Sequence, residues 1–150
     1  MISLRPLLVG IPLLALASCA PDGPEPAAVA TTEITSTLLL DAAERTVLDQ
    51  IVGYPTTGDA QVTAAIIEIP PGVETGWHFH EVPLVAHVLA GTLTVTYDTE
   101  SGEVEKVYEA GDTLIEAIGT HHDGRNDGDE TVRLIAVYIG ADGSANTVKL

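Results

Sequence analysis

Residues 92–97 read Thr-Leu-Thr-Val-Thr-Tyr, with Leu93, Val95 and Tyr97 on one side and three threonines on the other. That period of two marks a strand with one buried face. Further runs rich in Val, Ile, Leu and Thr lie at 33–40, 46–52, 61–69, 77–80, 84–89, 104–108, 113–118 and 131–139. Turn-forming residues separate them: Gly53-Tyr54-Pro55, Pro70-Pro71-Gly72, Glu100-Ser101-Gly102, Ala110-Gly111-Asp112 and Asn126-Asp127-Gly128-Asp129. Many short strands at regular spacing predict an all-β sandwich or barrel. Around 38–48, Asp41-Ala42-Ala43-Glu44-Arg45 leaves a short helix as an alternative to strand.

The first residues break this pattern. MISLRPLLVGIPLLALASC places Arg5 before an apolar run at 7–17 and then small residues. This is the layout of a secretory signal, and the run is shorter than the roughly 20 residues a bilayer span needs. The ending Leu16-Ala17-Ser18-Cys19 resembles the lipobox of bacterial lipoproteins, and Cys19 is the one cysteine in the chain. The resemblance implies cleavage before Cys19, acylation of its thiol, and a protein anchored to the membrane of the bacterial cell envelope, facing the periplasm or the outside. An ordinary signal cut near Ala20 and an unprocessed helix are the alternatives. Residues 20–32, APDGPEPAAVATT, hold three prolines and almost no bulky side chain, the composition of a tether. The expected organisation is signal peptide 1–18, lipidated N-terminus and linker 19–36, and folded domain 37–148.

Charge narrows the partners. The 150 residues carry 6 Lys+Arg against 22 Asp+Glu, a net charge of −16. Loss of Arg5 with the signal makes it −17. Such a surface repels nucleic acid and attracts cations.

Candidate chemistry sits in the histidines. His78 and His80 are two apart on an extended segment, so both rings project from one face, about 7 Å apart along the backbone. Of the adjacent pair His121 and His122, an extended segment turns only one toward a given side. Trp77 and Phe79 alternate with the histidines and therefore serve as core or dimer contacts on the other face.

The spacing is more specific than the residue types. Gly72, five residues, His78-Phe79-His80 and a closing Gly91 form one block. Gly111, five residues, Ala117-Ile118-Gly119, two residues, His122, three residues and Asn126 form a second. These resemble the two motifs of the cupin superfamily, over residues 72–126. The resemblance implies a double-stranded β-helix, or jelly-roll barrel, with a divalent metal inside it on His78, His80 and His122. It departs from the family twice. Ala117 stands in the proline slot of the second motif. Leu84 stands where the first motif has a glutamate, usually the fourth ligand; Val85, one position on, is the other possible slot and is apolar too, and Glu81 is on the wrong face to replace it.

Three neutral imidazoles with open positions suit a catalytic Zn²⁺ site and resemble the three-histidine iron sites of some cupin dioxygenases. Fe, Mn, Zn, Ni and Cu are all compatible with the donors. With Leu84, Ala86 and Val88 facing in, His87 faces out with Val85 and Leu89; a bulge would instead bring His87 to the metal as a further ligand. Glu116 is either an inward outer-shell carboxylate or an exposed acid, and His121 belongs at the rim. The expected function is a metal-binding cupin that binds or transforms a small molecule, with an anion favoured, by oxygenase-, isomerase- or lyase-type chemistry if it is an enzyme. A non-enzymatic module that binds or senses a small ligand, with or without metal, is the alternative, and a homodimer is open in either case.

Overall fold

A computed structural model describes residues 33–150. Residues 37–150 pack as one compact unit. Its strands are β1 (Ala60–Ile69), β2 (His78–Phe79), β3 (Leu84–Ala90), β4 (Thr92–Thr99), β5 (Gly102–Glu109), β6 (Thr113–Ile115), β7 (His122–Arg125), β8 (Val132–Ala141) and β9 (Val148–Lys149). They form two antiparallel sheets, one ordered β1-β8-β3-β6 and the other β5-β4-β7-β2-β9.

The alternation read in the sequence decides which faces meet. Leu93, Val95 and Tyr97 of β4 pack against Leu84 and Ala86 of β3 and Leu134, Ala136 and Tyr138 of β8, so the core lies between the sheets. Tyr97 is fully buried, whereas Thr92 is exposed. On β3, Leu84, Ala86 and Val88 are buried, and Val85, His87 and Leu89 are not.

Gly91 joins β3 to β4 where only glycine fits. Its φ is +72°, and a Cβ there would lie 2.9 Å from the Val132 Cα, closer than real Cβ atoms come. A β-bulge between Val88 and Ala90 precedes it. It does not turn His87 inward.

Three expectations need correction. Residues 33–40 and 46–52 are not strands, and 38–48 is not a helix. This stretch makes one isolated bridge, Arg45 with Ile51, touches the β6 edge through one backbone bond, Val47 N–H to Ile115 O at 2.9 Å, and leaves Leu38 and Leu39 exposed. Apolar residues with β-propensity form no strand without an edge to pair with. Conversely, β7 and β9 lie in stretches the sequence pattern left as loop, and both flank β2.

Candidate metal centre

β2 is two residues long, yet it places His78 because both neighbours hold it in register. His78 pairs with His122 of β7 on one side and with Lys149 of β9 on the other. His122 also lies opposite Tyr97 of β4, so three strands bring its ring into the barrel. His80 continues the line through a parallel bridge to Ile118.

The surrounding turns are clamped. Thr75 Oγ1 accepts the Gly124 amide at 2.9 Å and donates to Asp123 at 3.1 Å, tying the entry of β2 to β7. Gln50 pairs with Ile118 as a strand would: its Nε2 donates to the Ile118 carbonyl at 2.8 Å, and its Oε1 accepts the Ile118 amide at 2.9 Å. Asn126 is buried and donates to the carbonyls of Ile69 and Glu130, both at 2.8 Å, while its Oδ1 accepts the Gly128 amide at 3.0 Å. The sequence pattern marks Asn126 as the last residue of the second motif. It missed Gln50 and Thr75, whose partners lie 68 and 49 residues away.

His78, His80 and His122 come together. Their ring centroids are 4.4–5.1 Å apart, and one ligand nitrogen from each lies within 4.8 Å of the others. Three nitrogens on one ion at about 2.0–2.2 Å lie about 2.8–3.8 Å from one another, so the rings need only a modest contraction to coordinate an ion together. The tautomers fit as well. Nδ1 of His78 donates to Gly76 O at 2.7 Å, that of His80 to Asn146 O at 2.7 Å, and that of His122 to Thr120 O at 2.8 Å. A carbonyl only accepts, so each Nδ1 carries the proton and each Nε2 keeps its lone pair. Burial lowers all three pKa values, that of His80 to about 4, so the set is neutral near pH 7. A divalent metal ion fits this donor set.

The other candidates fall elsewhere. His87 is on the outer face of its sheet, with Nδ1 2.8 Å from Thr113 Oγ1, and is not part of the cluster. His121 is half-buried against the Phe79 ring, at 5.5 Å between centroids. Trp77 is 36% exposed, so it belongs to the surface rather than the core. Cys19 lies outside the described residues.

The histidines open on a cavity of about 70 Å³, walled mainly by apolar side chains including Leu84, Leu114 and Tyr138. At roughly 10–15 Å³ for each water-sized group, it holds a ligand of a few heavy atoms. One acid reaches it: Glu116, 6% exposed, whose proton affinity is raised by burial. A family profile described as the cupin domain matches residues 65–138, around this cavity and within this two-sheet architecture. The domain has the cupin fold.

Solved structures similar to this cupin share the architecture at low identity. The oxalate decarboxylase of Lactobacillus farciminis, in complex with formate, is 25% identical with a TM-score of 0.53, over 59% of this chain and 26% of that one. An oxalate oxidase in complex with the substrate analogue glycolate is 19% identical with a TM-score of 0.52, over 59% and 46%. The Bacillus subtilis oxalate decarboxylase, a protein with Mn(II) centres, is 18% identical with a TM-score of 0.52, over 65% and 30%. The matched part of the cupin thus spans less than half of each of these chains. No curated relative matches it.

Proposed function

We propose that this cupin is an exported, lipid-anchored protein whose His78–His80–His122 centre binds a small anion and transforms it by oxygenase-, isomerase- or lyase-type chemistry. The observation that carries the reading is the convergence of three neutral imidazoles, all in the metal-ready tautomer, on a small apolar cavity. A divalent ion there supplies Lewis acidity, and with neutral ligands it keeps its double charge for an anion. The chain's own residues do the rest. The Nδ1 bonds fix the rings, Leu84 and Leu114 keep the cavity dry, and the cavity volume limits the substrate to a few heavy atoms. The formate held by the 25%-identical decarboxylase is an anion of that size.

Leu84 favours a second reading. With no carboxylate at that position, the centre would serve to bind or sense a ligand without turnover. Metal analysis of untagged protein, followed by binding and turnover assays with small carboxylates, separates the two. Consumption of a carboxylate supports the enzyme, and saturable binding without product supports the sensor. A wild-type protein that takes up no divalent metal, or His80→Ala that takes up as much as wild type, overturns the metal centre, and with it the enzyme. The lipid anchor rests on the Leu16-Ala17-Ser18-Cys19 resemblance. Labelling cells with a fatty-acid analogue tests it: Cys19→Ala is expected to lose label and membrane association, and a variant that keeps both refutes the anchor.

A further inference from the structure

Among the described residues Glu116 is the one acid that lines the cavity, and its place in the fold is specific. It directly follows β6, which runs antiparallel to β3 with Val85 opposite Ile115. The ladder continues one step, because the Glu116 amide donates to the Leu84 carbonyl at 2.9 Å. Residues opposite each other on an antiparallel pair project from the same face, with Cβ atoms about 4.5–5.5 Å apart. Leu84 and Glu116 are therefore neighbours on the inner wall, and both line the histidine cavity.

Its surroundings supply no positive charge. Among the described residues Glu116 is in no ion pair. Its Oε1 accepts the Ala117 amide at 2.7 Å, and the buried Tyr97 hydroxyl faces the same carboxyl. A carboxylate so far from water is costly to charge unless a cation comes near. The histidines bring none while they are neutral. A divalent ion on them would.

The second unusual residue serves the same group. Ala117 provides the N–H that orients the Glu116 carboxylate. Proline, the residue of the motif at this slot, has no N–H to give. Leucine at 84 and alanine at 117 thus bear on one group: the first puts no carboxylate at its own place on the wall, and the second holds one a strand to the side.

We propose that Glu116 is the charged partner of the metal centre, acting from the end of β6 on the ion and whatever fills its open side. This rests on the three-histidine reading above. Glu116 is not in the cluster of mutually adjacent ligand atoms, so it acts from outside the histidine set. Outer partners of metal ligands typically change affinity 10- to 100-fold when removed.

The test uses full-length protein stripped of metal and titrated with Co²⁺, Mn²⁺ and Zn²⁺ separately. Glu116→Gln keeps the shape and loses the charge. It is expected to bind all three ions 10- to 100-fold more weakly, by the same scale, while its metal-free form is at least as stable as wild type. Ala117→Pro is expected to weaken binding in otherwise wild-type protein and to have little further effect when combined with Glu116→Gln, since both changes act through one carboxylate. Wild-type affinity in Glu116→Gln overturns the proposal, as does an Ala117→Pro loss that is the same with and without the charge. Should Glu116→Gln fold poorly, Ala117→Pro alone decides: undiminished affinity overturns the proposal. Failure of wild type to bind any of the three ions is a different result, and counts against the histidine centre itself.

Discussion

Stripped of metal, the protein should become markedly less stable between pH 7 and pH 5, and His80 should account for much of the change. Burial is the cause: at 3% exposure the ring cannot be charged cheaply, and its pKa falls from 6.5 to about 4 in the folded state. The unfolded chain therefore binds more protons than the folded one below pH 6.5. The stability is fully present above that pH and is lost as pH falls toward 4. With those two pKa values, linkage gives a loss of about 2 kcal/mol from His80 between pH 7 and pH 5. His78 and His122 shift in the same direction and add to it. Glu116 shifts the opposite way, binding its proton more tightly when folded, so it partly offsets the loss. Against a typical total of about 5–15 kcal/mol, the net change is easily measured.

The assay is urea unfolding of metal-free protein at pH 7, 6 and 5, for wild type and His80→Asn. Asparagine keeps a donor near the Nδ1 position, facing the Asn146 carbonyl, but does not titrate. The difference between the two proteins removes the background from the many surface acids. Wild type should lose about 2 kcal/mol more than the variant across this range. Parallel pH curves would refute the claim that His80 is held neutral by burial.

Leu84→Glu should raise affinity for Mn²⁺ and Fe²⁺ more than for Zn²⁺ or Cu²⁺, since a hard, charged oxygen joins the site. It should also destabilise the metal-free protein at neutral pH, because it places a second carboxyl beside Glu116; metal titration and thermal melting check the two effects. Gln50→Ala leaves the Ile118 amide and carbonyl without their partners and should cost about 1–3 kcal/mol in urea unfolding. His121→Ala should leave metal content near wild type by elemental analysis, since its ring packs on Phe79 outside the cluster.

The barrel and the histidines were legible in the sequence for one reason: both follow from spacing along the chain. Strict alternation fixed the inner face of β4, and the same period turned His78 and His80 together while sending His87 outward. What stayed hidden depends on partners far away in sequence. β9 is two residues long and exists only because β2 offers it an edge. Residues 33–40 have strand composition but no edge, and they stay irregular. Glu116 was the closest case. Sequence left its direction open, since apolar residues stand on both faces of the 113–118 run. The register of β6 against β3 decides it, and that register is visible only once the strands are paired.

The centre gathers groups that each oppose folding in the metal-free state. Three imidazoles are held where they resist protonation, and one carboxyl is held where it resists ionisation. A core built for stability alone would fill this space with leucine, as it does at 84, 93, 114 and 134. The hydrogen bonds that do exist around these groups do not relieve the burial. They orient the rings and the carboxylate so that lone pairs face inward. Such an arrangement stabilises the protein only when a cation completes it, because one dication satisfies three lone pairs and one negative charge together. Metal binding and folding are therefore coupled in this barrel, and the same imidazoles that weaken the empty protein in acid help to set how tightly it holds its ion.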